Sequence, residues 1–101
     1  MLETFTAATF TPFVDTEFAA RIGEEAGLTL RLLEASEADG EGAAATAGRR
    51  KPFALLFGGP LRPILPQRTY TLDHERLGSF ELFIVPIGPE GAMMRYEAVF
   101  G

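Results

Sequence analysis

Phe53, Leu55 and Phe57 take alternate positions in "PFALLFGG", and the same two-residue rhythm returns along much of the chain. Phe18, Ala20 and Ile22 alternate within Glu17 to Gly23. Leu28, Leu30 and Leu32 follow, and Met94, Tyr96, Ala98 and Phe100 end the chain in the same way. A period of two belongs to a strand with one face on a core. Two more strands are expected, at Thr69 to Leu72 and at Phe80 to Ile87. The second, "FELFIVPI", looks covered on both faces and so reads as central. Pro86 has no N–H to give a ladder, so it is expected near that strand's end or at a bulge.

Turn residues separate these runs. "GEEAG" (23 to 27) joins the first two strands as a hairpin. Asp73 to Gly78 connects "TYTL" to "SFELFIVPI", and Gly78 relaxes the backbone where the second of these begins. "GPEGA" (88 to 92) turns the chain before the last strand. No pattern long enough for a crossover helix is visible, so antiparallel neighbours are expected. About six strands in 101 residues close as a small barrel or a two-sheet sandwich. The expected fold class is therefore all-β, a single antiparallel domain over residues 1–101. A short helical turn opens it: Thr6 caps Ala7 to Phe10, and Pro12 limits its length. The expected core is Phe10, Phe18, Ile22, Leu28, Leu30, Leu32, Phe53, Leu55, Phe57, Tyr70, Leu72, Phe80, Leu82, Ile84, Tyr96, Ala98 and Phe100.

Residues 36–51, "SEADGEGAAATAGRRK", contain nothing large and apolar and are expected to be a long, mobile surface loop. "EADGEG" within it resembles the start of a calcium loop. The twelfth position, however, is Gly48, where a bidentate acid is needed, so a solvated loop is the better reading.

Composition removes several function classes. Cysteine is absent, which excludes disulfides, thiolate chemistry and cysteine-bound metals. The net charge of −5 argues against nucleic acid as a partner, since phosphate binding needs a basic face. The cluster Arg49-Arg50-Lys51 is too small to reverse that balance. The start, "MLETFTAATF", lacks the basic region and apolar run of a signal peptide. No apolar run approaches a membrane span. Cytoplasmic residence, with no membrane partner, is the default expectation.

The one histidine, His74, lies between Asp73 and Glu75. Along an extended chain the two acids point away from it. A hydrolytic triad would need a nucleophile. Ser36 and Ser79 are the only serines, and neither sits in a nucleophile elbow. A zinc site would lack a second histidine. His74 therefore reads as part of a hairpin tip, with a hydrolase or isomerase centred on it as the weakest functional reading. "FGGP" (57 to 60) has no helix behind its glycines and is a strand stop, not a phosphate cradle. "PILPQRTY" (63 to 70) carries Gln67 and Tyr70 in a proline-rich strip. It reads as a rigid crossing over one end of the core, with a minority reading as a recognition strip.

The stretches "FTAATFTPFVDTEF", "PFALLFGGP", "LPQRTYTLDHERLGSFELFIVPIGP" and "MRYEAVF", in that order, resemble a small family of uncharacterised bacterial proteins of about this length. The resemblance spans nearly the whole chain outside 36–51, and Leu65 to Pro89 is its specific part. Arg68 stands where that family often has glycine, which implies a different turn here. The family is a domain of unknown function. Some members look like neighbours of phage-tail-type genes, which implies an accessory or structural role. It carries no established catalytic or binding residues.

The leading expectation is a non-enzymatic structural or protein-interaction module, with a protein partner or self-association, a homodimer included. It is motivated by sheet edges that invite pairing and by the proline-rich strip. The alternative is a small-ligand-binding barrel. The candidate binding residues are His74, Asp73, Tyr70, Arg95 and Gln67. No catalytic set, metal or cofactor is expected.

Overall fold

The computed structural model describes residues 5–22, 25–37 and 53–100, and the expected loop lies mostly outside them. Six strands form one closed antiparallel barrel: β1 (Glu17–Ile22), β2 (Glu25–Glu37), β3 (Phe53–Pro60), β4 (Arg68–His74), β5 (Gly78–Glu90) and β6 (Met93–Phe100). Around the barrel the order is β1-β2-β3-β6-β5-β4. Hairpins supply the β1–β2, β4–β5 and β5–β6 neighbours. The β3–β6 and β4–β1 pairs close the ring.

The expected alternation sets the inner face. Phe18, Leu30, Leu32, Phe53, Leu55, Phe57, Leu72, Ile84 and Tyr96 are fully buried. The rings pack edge to face, as their quadrupoles prefer. Phe18 meets Phe57 at 5.5 Å between centroids and Phe80 at 6.2 Å. Burying each such side chain is worth about 1.5–3 kcal/mol. The barrel interior is therefore a packed core of aromatic and aliphatic groups.

Each end of the barrel is covered by a segment outside the sheet. At one end sits the helical turn α1 (Ala7–Phe10), followed by a 3-10 turn at Thr11–Phe13. The Thr6 N–H donates to Thr9 Oγ1 at 3.0 Å, which holds the start of the turn. Phe10 is fully buried against Phe53 and Phe80, and Phe5 packs on both Phe10 and Phe80. At this end β5 is not paired with β6, because their ladder begins only at Val85–Glu97. The opposite end is closed by residues 61–67. Leu65 plugs it, 2% exposed, and its N–H donates to the buried Tyr96 hydroxyl at 3.0 Å. The Tyr70 hydroxyl donates to the Pro66 carbonyl at 2.6 Å. Two core tyrosines thus tie down a segment whose prolines leave it few backbone donors.

Several expectations need correcting. Ile22 is 47% exposed and not core, because the β1–β2 register shifts between Ala20 and Ile22 and turns it outward. Leu28 is only partly buried. β5 is not covered on both faces. Phe83 is 50% exposed, so the strand alternates like its neighbours. β5 also runs through Pro86 and Pro89 to Glu90, with the expected irregularity between Pro86 and Gly88. Ser36 and Glu37 belong to β2 and pair with Ala54 and Phe53. The β4–β5 connection is shorter than expected. Asp73 and His74 are strand residues, and only Glu75 to Leu77 turn. Gly78, at φ 82°, opens β5 with the backbone freedom anticipated for it. The core also takes in Phe5, Ala7 and Leu65, which alternation did not single out, and Ala20 and Met94, which lie in the alternating runs but were not among the expected core. The side chain of Phe100 lies outside the described residues.

Candidate functional site

His74 ends β4 with its side chain turned inward, 6% exposed. Phe18 lies 4.4 Å away between ring centroids and Phe13 4.9 Å away. Its Nδ1 accepts the backbone N–H groups of Arg76 (3.1 Å) and Leu77 (3.3 Å), which closes the turn as a short polar side chain does in an Asx turn. An accepting Nδ1 assigns the proton to Nε2, which donates to Thr16 Oγ1 at 2.9 Å. The Thr16 hydroxyl donates in turn to the Phe13 carbonyl at 2.6 Å. Both ring nitrogens are thus used inside the protein. Burial holds the His74 pKa below its ordinary value; nearby Glu75 opposes this and Arg76 adds to it. A proton on Nδ1 would face two N–H donors. The arrangement suits a neutral imidazole that joins the N-terminal turns to the β4–β5 hairpin.

Asp73 points the other way, as strand alternation requires. Its carboxylate takes two bonds from Arg21 of β1, at 2.7 Å each, and one from the Ser79 hydroxyl. The Arg21 and Ser79 hydrogen bonds hold the Asp73 pKa below the ordinary carboxylate range. Ser79 is therefore engaged with Asp73 on the outer surface, on the opposite face of β4 from the His74 ring. No Ser–His pair forms, and a nucleophile-and-base reading has no geometry to rest on. Among the described residues no three His, Asp or Glu side chains gather as a metal site.

The remaining candidates fall in different places. Tyr70 is buried, and burial is the main reason its hydroxyl pKa is raised. Gln67 is exposed. Arg95 is half-buried on β6, opposite Gly58 and Gly88, and its Nε has no hydrogen-bond partner. The five candidate residues do not form one site.

A cleft forms instead where β1 and β4 part. These strands pair only at Ala19–Asp73 and Ala20–Leu72. Beyond that point the gap is walled by Arg21 and Ile22 on one side. Pro63 to Pro66 and Arg68 to Thr71 form the other side, around a cavity of about 380 Å³. Ile64 is 52% exposed at its edge. Of the expected site residues only Tyr70 lines it. Arg21, Ile22, Ile64 and Arg68 were missed. The one signal for them was the proline-rich strip, since a register shift in β1 leaves no mark in the sequence. A second, polar depression of about 340 Å³ lies outside His74, bounded by Asp15, Thr16, Glu17, Arg31 and Glu75. Arg31 spans it, donating to the Asp15 carbonyl at 3.1 Å.

Among the described residues no helix is long and apolar enough to cross a membrane. No curated protein and no solved structure matches the chain. A family model does, over residues 5–100, which takes in both end caps and all six strands. The chain belongs to the family described as a domain of unknown function, DUF6916.

Proposed function

We propose that this protein is a non-enzymatic protein-interaction module whose recognition surface is the β1–β4 cleft, of a kind suited to an accessory role in an assembly such as a phage-tail-like system. The observation that carries this reading is the lapse in β1–β4 pairing. It leaves strand edge, two exposed isoleucines and two arginines together in one groove. A catalytic reading has less support, because His74 spends both nitrogens on internal bonds and Ser79 serves Asp73. A ligand inside the barrel would have to displace Phe18, Phe57 and Tyr96, all fully buried. If a small ligand binds, the cleft is the better place, since its volume falls within the usual range for ligand pockets.

The test is recovery of crosslinked partners from a host lysate with wild-type protein, Ile64→Asp in the cleft wall, and Val99→Asp on the outer face of β6. Val99 is 62% exposed and lies outside the cleft. A partner kept by the Val99 variant and lost by the Ile64 variant supports the reading. A wild-type protein that elutes as a monomer and recovers no partner contradicts it. Elution as a dimer that Ile64→Asp converts to monomer makes the partner a second copy.

A further inference from the structure

Building on the cleft as recognition surface, we propose that its occupant is an extended segment of a partner protein that adds a short strand to β4 and sets a carboxylate against Arg68. β4 is paired along its whole length on the β5 side, from Arg68–Ile84 to His74–Gly78. On the other side β1 reaches only Leu72 and Asp73. Among the described residues, Arg68 to Thr71 therefore keep one edge without a strand partner. Because main-chain direction alternates along a strand, two of these four residues aim both N–H and C=O into the cleft. Folded proteins usually blunt such an edge.

The neighbouring segment does not pair with it. Pro63 and Pro66 have no N–H to donate, and the one hydrogen bond joining this segment to β4 runs from the Tyr70 side chain to the Pro66 carbonyl. The crossing thus stands beside the edge and leaves it unpaired. Four residues of strand span roughly 13 Å, a length suited to a segment of three or four residues.

Charge selects what kind of segment fits. Among the described residues the cleft is lined by two arginines and no acid, in a chain of net charge −5. Arg21 is already bonded to Asp73. Arg68 has no ion pair or side-chain hydrogen bond among the described residues and is exposed, so the positive charge left to be matched is its own. A carboxylate can pair with it in two-point geometry. Ile22 and Ile64 supply apolar contact for a neighbouring side chain of the same segment. The recognition mode is strand addition, with main-chain bonds giving affinity and alternate side chains giving selectivity.

The experiment pans a phage-displayed random 12-residue library on the full-length protein and measures the enriched sequences as synthetic peptides by fluorescence anisotropy. The expected peptides alternate apolar residues with an Asp or Glu. Their affinity drops roughly tenfold or more for Arg68→Gln, in line with losing a charge-assisted bond, and falls less for Arg68→Lys. N-methylation of peptide amides weakens binding at every second position and leaves the positions between nearly unchanged. Because Arg68 is exposed, circular dichroism of its variants should match wild type. Binding lost with Ile64→Asp but unchanged by Arg68→Gln, with no alternation in the N-methyl scan, overturns strand addition while keeping the cleft as a docking surface. Peptides that bind Ile64→Asp as well as wild type, or a selection that enriches nothing, overturn both.

Discussion

Acidification from pH 7.5 to 5.5 should weaken this fold through His74. The chain has one histidine and no cysteine, and His74 is the side chain whose ordinary pKa falls in that window. Burial keeps the folded-state pKa of His74 below the ordinary 6.5, so the unfolded chain takes up a proton before the folded one does. Stability is therefore level above about pH 6.5, declines as pH falls below it, and levels again under the folded-state pKa. If the folded imidazole stays neutral to pH 5.5, the loss is RT ln(1 + 10) at that pH, about 1.4 kcal/mol; that is the ceiling for one site. The comparator is His74→Asn. Asparagine keeps an acceptor for the Arg76 and Leu77 amides but cannot titrate. It gives up the Thr16 bond and the ring contacts with Phe13 and Phe18. The variant should be less stable by about 1–3 kcal/mol at pH 7.5, the combined scale of one hydrogen bond and an aromatic pair. It should also be nearly flat between pH 7.5 and 5.5. Urea unfolding followed by far-UV circular dichroism suits a chain without tryptophan. Parallel pH profiles for wild type and His74→Asn would refute the reasoning, as would an NMR titration placing the folded His74 pKa at or above 6.5.

Further outcomes are expected. Tyr96→Phe removes the acceptor for the buried Leu65 N–H and should cost about 1–3 kcal/mol in urea unfolding, with faster amide exchange at Leu65. Leu65→Ala empties the plug at that end of the barrel and should cost about 2–5 kcal/mol, read from the same transition. Arg21→Gln should raise the Asp73 pKa towards the ordinary 3.8, seen by NMR of its side-chain carboxyl. The stabilisation that Asp73 draws from its partners is present above that value and fades as pH falls below it. Gly78→Ala forces a β-carbon onto φ 82° and should destabilise by about 1 kcal/mol, even though nothing lies within 4 Å of where that carbon would sit.

What the sequence alone determined is the local geometry. Alternation at Leu30 and Leu32, at Phe53 to Phe57 and at Tyr96 and Ala98 set which side chains face inward, because a strand has no other period available. Gly78 and the irregularity near Pro86 were legible for the same reason, since each follows from what one residue's backbone permits. Tertiary structure decided the rest. Ring closure is a property of strand pairs far apart in the chain, β3 with β6 and β1 with β4, and no local signal encodes it. The strand period put His74 and Asp73 on opposite faces. Only the packed N-terminal turns, which bring Phe13 and Thr16 over the imidazole, made His74 a buried link between those turns and the β4–β5 hairpin. The cleft depended most on the whole molecule. β1 pairs with β4 no further than Ala20–Leu72, so Arg68 to Thr71 have no β1 partner, and the proline crossing tied by Tyr70 and Tyr96 does not pair with them. Each of its parts looks ordinary in the sequence, and only their meeting makes the cleft.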